Sequence, residues 1–215
     1  PLVAPGKHAA LTGALGAGAV RIRSDIDVPV VNVQAENDIT GLLNSILVRQ
    51  PDSATFRLWE VAGTAHADTR LIGPNADAMN CGLPINDGPQ HFVAKAGLNS
   101  LDKWLRTGVA PPEAQRLEVT STPAPAIDRD ADGIALGGIR TPLVDVPVDV
   151  LSGIAGPNPS VICILSGSAA PLSDARIAQL YAFRADYVQR YADATDAVIA
   201  AGFVLEADRE ALLGE

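Results

Sequence analysis

Two short runs of β-branched and apolar residues constrain the fold of this chain more than any other feature. Residues 28–34 read Val-Pro-Val-Val-Asn-Val-Gln, and residues 56–61 read Phe-Arg-Leu-Trp-Glu-Val. A short apolar run of this kind is typical of a strand that is buried on both faces, as in a parallel sheet. Residues 41–48, between them, place small and apolar side chains at helical spacing. The order strand, helix, strand therefore predicts an α/β fold.

A long amphipathic helix is predicted to begin at Gln90. Its apolar stripe contains Val93 and Trp104, among others, and its charged residues lie outside that stripe. Gly108 ends the helix, and the prolines that follow prevent its continuation. This helix completes the part of the chain that the strand pattern describes.

The rest of the chain has a different pattern. Residues 117–150 are rich in Pro, Gly and Asp, with short extended pieces at 117–119 and 142–150, and residues 161–165 predict an apolar strand. Residues 182–201 predict a helix, which stops at Gly202 and restarts as a short helix near Glu206. We expect the apolar side of this helix to pack against the strand at 161–165, because an isolated helix of that length is marginal in water.

These patterns divide the chain into three parts. Residues 1–20 begin without Met and are rich in Gly and Ala, which predicts an extended linker or a remnant of missing upstream sequence. Residues 21–110 form the predicted core of strands and helices. Residues 111–215 form a predicted accessory region of short strands and helices that packs on this core.

Charge and hydropathy exclude several classes of partner. The chain carries a formal net charge of -9, and its Lys and Arg residues form no basic run or face. Nucleic acid and anionic membrane are therefore not expected partners. No apolar stretch approaches the roughly 20 residues of a transmembrane helix, and the first residues do not resemble a signal peptide. The compartment cannot be read from these features.

The two cysteines, Cys81 and Cys163, have no ligand spacing that would indicate zinc. The favoured interpretation is two small buried residues, and a single disulfide between them is the main alternative. Neither arrangement decides the redox environment from sequence alone.

Two polar residues come directly after the predicted parallel strands. Asp38 follows the first strand and His66 follows the second. In open α/β sheets, ligands bind and chemistry occurs at the carboxyl ends of the strands. A serine hydrolase needs an acid that holds an imidazole in the correct tautomer and a histidine that takes the proton of the nucleophile. The pattern therefore indicates two members of a hydrolytic triad, in the chain order acid then histidine.

Four segments together resemble the α/β-hydrolase domain family of large bacterial proteins. They are PVVNVQAENDI, FRLWEVAGTAHAD, NDGPQHFVAKAGLNSLDKWLRTG and GIALGGIRTPLVDVPV. The resemblance runs from about Arg21 onward. It implies the C-terminal part of an α/β-hydrolase fold, a mostly parallel sheet with flanking helices, followed by the accessory region. It also implies that His66 is the triad base and Asp38 the acid.

The identity of the acid and the position of the nucleophile stay open at this point. Glu36 is a rival to Asp38, because its carboxylate lies only two residues earlier on the same predicted turn. The chain contains no Gly-x-Ser-x-Gly elbow, and Gly167-Ser168 comes after His66, which is the wrong order for this fold. We therefore expect the nucleophilic serine to lie on absent upstream sequence, the missing N-terminal part of the same polypeptide.

Other candidate sites are weaker. No third ligand accompanies His66 and Asp68, so no metal is predicted there. The run that begins at Asp128 fits the first half of a calcium loop, but Ile139 occupies the twelfth position, where a bidentate Glu is required. A polar Asp-turn is the favoured interpretation. His91 is expected to be a surface or capping residue, and no cofactor is predicted.

Two functions follow from these predictions. In the first, the chain is part of a serine-dependent, esterase-like hydrolase that acts on a small-molecule carboxylic ester or related acyl compound. The full-length parent is then an enzyme and the isolated chain is inactive. In the alternative, the chain is a binding or structural module that retains the fold and has lost the chemistry.

Overall fold

A parallel pair of strands forms the centre of the molecule. The computed structural model describes residues 20–120, 124–157 and 160–215. Strand β1, Val30–Ala35, pairs in parallel with β2, Phe56–Val61, in a register that joins Val30 to Phe56 and Ala35 to Val61. All six residues of β2 are buried. Both predicted strands are confirmed, the first with its start shifted by two residues.

Helix α3, Gln90–Thr107, covers one face of this pair. Val93 and Ala96 pack with Trp59 and Val61 of β2 in one buried cluster. Gly97 permits the close approach, because a Cβ there would lie 3.2 Å from Cγ2 of Val33 on β1. The helix has the predicted start and ends at Gly108, whose φ of 74° is favourable for glycine.

Residues downstream of α3 complete the core beside β2. Ile139 forms a parallel bridge with Val61, and its N–H donates to Glu60 O at 2.7 Å. Leu117, among other downstream residues, joins Ile39 and Ala62 in a second buried cluster. The segments before and after α3 thus share one apolar interior.

The remaining sheets differ from the predicted, mostly parallel arrangement. Apart from β1 and β2, the strands of the described residues form two short antiparallel pairs. These are β3, Val119–Thr120, with β4, Ala126–Ile127, and β5, Asp149–Ser152, with β6, Ser168–Pro171. The described parts of the chain are therefore a mixture of helices and small sheets, in which one two-stranded sheet is parallel.

The segment predicted as an apolar strand at 161–165 is a helix, so that prediction is wrong. Helix α5, Val161–Ser166, begins after Ser160, whose hydroxyl accepts a bond from the N–H of Cys163. Short apolar runs do not distinguish a strand from a helix by periodicity. Here the cap decides the conformation, and Val161 stays exposed.

Cys81 and Cys163 form a disulfide, with 5.5 Å between their Cα atoms. Both cysteines are buried, as the favoured interpretation expected, but they are linked, so the alternative of a disulfide is correct. The bond ties α5 to the loop that precedes Pro84, and both sulfurs are buried with Ala76 and Ile85. Sequence spacing did not reveal this pairing, since 82 residues separate the cysteines.

The C-terminal helices pack against one another, against α3 and against α4, Pro142–Asp145. Val198 of the long helix α7, Arg184–Ala200, packs with Phe92 and Leu212, and Tyr191 packs with Val146 and Tyr181. The predicted contact with the segment at 161–165 is absent from both clusters. The helices of this region are α6, Asp174–Leu180, α7, Arg184–Ala200, and α8, Arg209–Leu213, with a 3-10 helix at Glu206–Asp208.

Short helical turns connect the larger elements. The helix predicted at 41–48 is only a 3-10 helix at Ser45–Val48, because Asn44 adopts a left-handed conformation with φ 50°. The extended piece predicted at 142–150 begins as a helical turn and becomes a strand only at Asp149. The other turns are α1, Glu36–Ile39, α2, Thr69–Ile72, a 3-10 helix at Gly73–Ala78, and α4, Pro142–Asp145.

Two sequence predictions concern the first residues of the chain and membrane-spanning helices. The linker predicted at residues 1–20 lies outside the described residues except for Val20. Among the helices that are described, none combines the length and the apolar character that a membrane span needs.

Candidate active site

Two polar turns meet where β1 and β2 end. The chain leaves β1 directly into α1, and it leaves β2 into the loop at residues 62–68. The N–H of Glu36 donates to Thr64 O at 3.3 Å, which joins the two turns. Because both strands are parallel, their carboxyl ends open on the same edge. This edge is the candidate site.

The structure brings Asp38 and His66 into contact at this edge. Asp38 Oδ1 lies 2.7 Å from His66 Nδ1. The second carboxylate oxygen, Oδ2, accepts the N–H of Ala35 at 2.7 Å, so the acid is held from both sides. The Asp38 side chain is 14% exposed and the His66 side chain 46% exposed. A fixed acid thus faces an imidazole that remains open to a reactant.

The hydrogen bond with Asp38 raises the pKa of His66 above its ordinary value of 6.5, against a smaller effect of burial. A bonded carboxylate favours the protonated imidazole. In the neutral ring, a proton on Nδ1 is donated to Asp38, which leaves Nε2 as an acceptor. The pair has the arrangement that general-base chemistry requires.

Glu36 occupies a different position on the same turn. Its side chain is 1% exposed, and it accepts the N–H of Gly63 at 2.6 Å and that of Gly153 at 2.9 Å. Arg129 Nη2 completes the carboxylate's partners as a buried ion pair. These bonds direct Glu36 away from His66. Of the two acids considered from sequence, Asp38 is the one that contacts the histidine.

A pocket of about 330 Å³ opens beside His66. Its walls are formed by residues of the histidine loop, of α2 and of the first turn of α3. They are His66, Asp68, Arg70, Leu71, Gln90, His91 and Ala94. No serine lines this pocket. The space is large enough for part of a small substrate. His91, which the sequence analysis did not propose for chemistry, also lines it.

His91 is not the surface or capping residue that was expected. Both ring nitrogens are buried and have no hydrogen-bond partner among the described residues, and the ring stacks on Phe92 at a centroid distance of 4.0 Å. Burial lowers the pKa of His91 to about 4. Its position next to Phe92, at the start of a helix that packs on the sheet, was the only sequence signal of this burial.

Asp68 also lies close to His66 in sequence, but it has a structural partner. Its Oδ1 accepts the N–H of Leu71 at 2.8 Å, which caps α2. Burial raises the pKa of Asp68. The Asp68 side chain therefore stabilises the start of α2, where the histidine loop ends.

Two serines downstream of His66, Ser166 and Ser168, donate their hydroxyl groups to backbone carbonyls. Ser168 Oγ donates to Ile154 O at 2.7 Å, and Ser166 Oγ donates to Ile162 O at 2.6 Å. Both residues are buried. Neither hydroxyl is presented to the imidazole.

The aspartate run at 128–132 forms a turn. Asp130 Oδ1 accepts the N–H groups of Asp132 and Ile134, each at 2.9 Å. The carboxylate of Asp132 pairs with Arg176 at 2.7 Å. Within the ranges that the structure describes, no group of three or more His, Cys, Asp or Glu side chains is placed to hold a metal ion.

Comparison with known proteins gives one result. A family model described as an alpha/beta hydrolase domain matches residues 2–214 of the 215. No curated protein and no solved structure matches the chain. The matched range includes both turns of the candidate site.

Proposed function

Because the chain belongs to the alpha/beta hydrolase domain family, we propose that Asp38 and His66 are the acid and the base of a serine-dependent hydrolase. The substrate class is a small carboxylic ester or a related acyl compound. The observation that carries the proposal is the 2.7 Å contact between Asp38 Oδ1 and His66 Nδ1 at the carboxyl edge of parallel strands.

The geometry supports separate roles for the two residues. Asp38 is fixed by the N–H of Ala35 and accepts from the imidazole, so it orients the ring and stabilises its protonated form. His66 is half exposed, and its Nε2 is the nitrogen that Asp38 does not use. In the proposed role this free nitrogen takes the proton of the nucleophile, and the exposed fraction of the side chain leaves room for that approach.

The nucleophile in this proposal is a serine that precedes Asp38 in the polypeptide. In this fold the triad follows the order serine, acid, histidine, and none of the 215 residues forms a Gly-x-Ser-x-Gly elbow. The edge of β1 that faces away from β2 pairs with no other strand in the described parts of the chain. A preceding strand of the same sheet would add to that edge and bring its own carboxyl end next to Asp38.

The proposed reaction has two halves. The serine hydroxyl attacks the acyl carbon while His66 Nε2 takes its proton, and the imidazolium then gives that proton to the leaving alcohol. Water attacks the acyl-serine in the second half, with His66 again as the base. The charge of Asp38 stabilises the imidazolium in both halves.

Labelling with a fluorophosphonate tests this proposal without knowledge of the substrate, because the reagent reacts with an activated serine. We expect the full-length polypeptide to be labelled and to hydrolyse p-nitrophenyl acetate. The His66→Ala variant should lose several orders of magnitude in both rates while remaining folded. The isolated 215-residue chain should do neither above background.

Two results contradict the proposal. A full-length polypeptide that is folded and yet unlabelled favours the alternative, a non-catalytic module with a hydrolase fold. Turnover by the isolated chain that His66→Ala abolishes places the nucleophile within these residues.

A further inference from the structure

Asn37 lies between the two catalytic candidates and connects their turns. Its Oδ1 accepts the backbone N–H of His66 at 2.8 Å. Its Nδ2 donates to two carbonyl oxygens at the end of α5, at 3.0 Å to Ile164 and 2.9 Å to Leu165. One side chain therefore joins the acid turn, the histidine loop and α5, which is 127 residues away in sequence.

The far end of this connection is itself anchored. Leu165 O also accepts the N–H of Ala67 at 2.9 Å, so a single carbonyl is shared by Asn37 and the histidine loop. The disulfide at Cys163 holds the middle of α5, and its cap at Ser160 holds the beginning. The oxygens that receive the Asn37 amide thus belong to a fixed segment.

We propose that Asn37 is the positioning residue of the Asp38–His66 pair, since it fixes the backbone of His66 relative to α1 and α5. This proposal rests on the proposed function, in which the imidazole must meet a nucleophile at a defined angle. Displacement of a catalytic group by about 1 Å is enough to cost on the order of a hundredfold in rate. Asn37 itself does not touch the reacting atoms.

The chain offers a matched control in Asn86. Its Nδ2 also donates to two backbone carbonyls, those of Gly63 and Ser152, each at 3.1 Å. Its Oδ1 also accepts one backbone N–H, that of Gly88 at 2.8 Å. Asn86 is fully buried but bonds to neither Asp38 nor His66. Because Asn86 holds the start of the histidine loop at Gly63 and Asn37 holds His66 itself, the two asparagines separate anchoring of the loop's start from anchoring of the histidine.

The first test compares Asn37→Ala with Asn86→Ala by NMR titration of the His66 ring in the folded protein. The charged or titratable groups near this ring are Asp38 and, across the pocket, Asp68, Arg70 and His91. We expect the pKa of His66 to fall toward its ordinary value in Asn37→Ala, because the loosened loop weakens the bond with Asp38. Asn86→Ala should lower stability and leave the pKa of His66 at the wild-type value.

The second test measures turnover of p-nitrophenyl acetate by the full-length polypeptide. We expect Asn37→Ala to reduce kcat by roughly 10- to 100-fold with little change in KM. Asn37→Asp serves where the alanine variant does not fold. Its carboxylate keeps the bond from His66 N–H but loses both bonds to α5, so kcat should still fall.

The outcomes distinguish this inference from the proposed function. An unchanged pKa of His66 and an unchanged kcat in a folded Asn37 variant would overturn the positioning role, as would an equal pKa shift in Asn86→Ala. If the wild-type polypeptide neither reacts with a fluorophosphonate nor turns over an ester, the proposed function fails. The titration of the His66 ring still decides the role of Asn37 in that case.

Discussion

The turn after β1 has a solvent side and a buried side, and each carries one carboxylate. On the solvent side, Asp38 contacts the half-exposed ring of His66 at 2.7 Å. On the buried side, Glu36 is 1% exposed and bonds to Gly63, Gly153 and Arg129. The sequence favours Asp38 and leaves Glu36 as a rival, and in the structure the two acids have different partners. The difference suggests that chemistry belongs to the solvent side and stability to the buried side.

The largest expected effect on the solvent side follows from Asp38→Asn. The amide no longer stabilises the imidazolium, so we expect turnover by the full-length polypeptide to fall by about 10²- to 10⁴-fold with little loss of stability. The acidic limb of the pH–rate profile should move to lower pH, because the carboxylate that raises the pKa of His66 is gone. Steady-state kinetics across pH measures both effects. A wild-type rate in this variant contradicts the assignment of the chemistry to Asp38.

The matching change on the buried side is Glu36→Gln. It leaves the guanidinium of Arg129, whose side chain is 15% exposed, without its charge partner. Loss of one member of a buried pair typically costs about 3 kcal/mol or more in the free energy of unfolding. Urea denaturation measures this loss, and the remaining folded enzyme should keep a rate near the wild-type value. A stable but inactive variant would assign Glu36 to the chemistry.

A smaller effect is expected from Asp132→Ala, whose carboxylate bonds to Arg176 on α6 rather than to the turn after β1. Asp132 pairs with the partly exposed Arg176, and such ion pairs contribute little. Turnover should remain within roughly twofold of wild type and the unfolding midpoint should fall only slightly. Replacement of Asp128 or Asp130 should likewise affect stability at most. A large loss of turnover in any of the three, with the fold intact, would move the active site.

Local patterns were sufficient to predict the two parallel strands and the long helix that covers them. The runs at 28–34 and 56–61 are apolar over a strand's length, so burial on both faces follows from the residues themselves. Asp38 and His66 were then located by a topological rule, since each follows a parallel strand. The long helix from Gln90 was equally predictable, because its apolar stripe is regular and Gly108 with the prolines after it ends the helix.

Two features that the sequence left undecided depend on partners far away along the chain. The choice between Asp38 and Glu36 is made by Arg129 and Gly153, which lie more than 90 residues away along the chain. The same holds for the disulfide between Cys81 and Cys163. The helix at Val161–Ser166 was missed for a local reason, since a six-residue apolar run fits either state and only the cap at Ser160 favours the helix.

The most direct test of the claim that Asp38, and not Glu36, is the partner of His66 is an NMR titration of the His66 ring. It compares three proteins: the wild type, Asp38→Asn and Glu36→Gln. Each variant removes one negative charge from the same turn, and the two positions lie two residues apart. We predict a wild-type pKa above the ordinary 6.5, a lower pKa in Asp38→Asn, and a wild-type pKa in folded Glu36→Gln. A shift in Glu36→Gln with none in Asp38→Asn would contradict the assignment of Asp38 as the partner of His66.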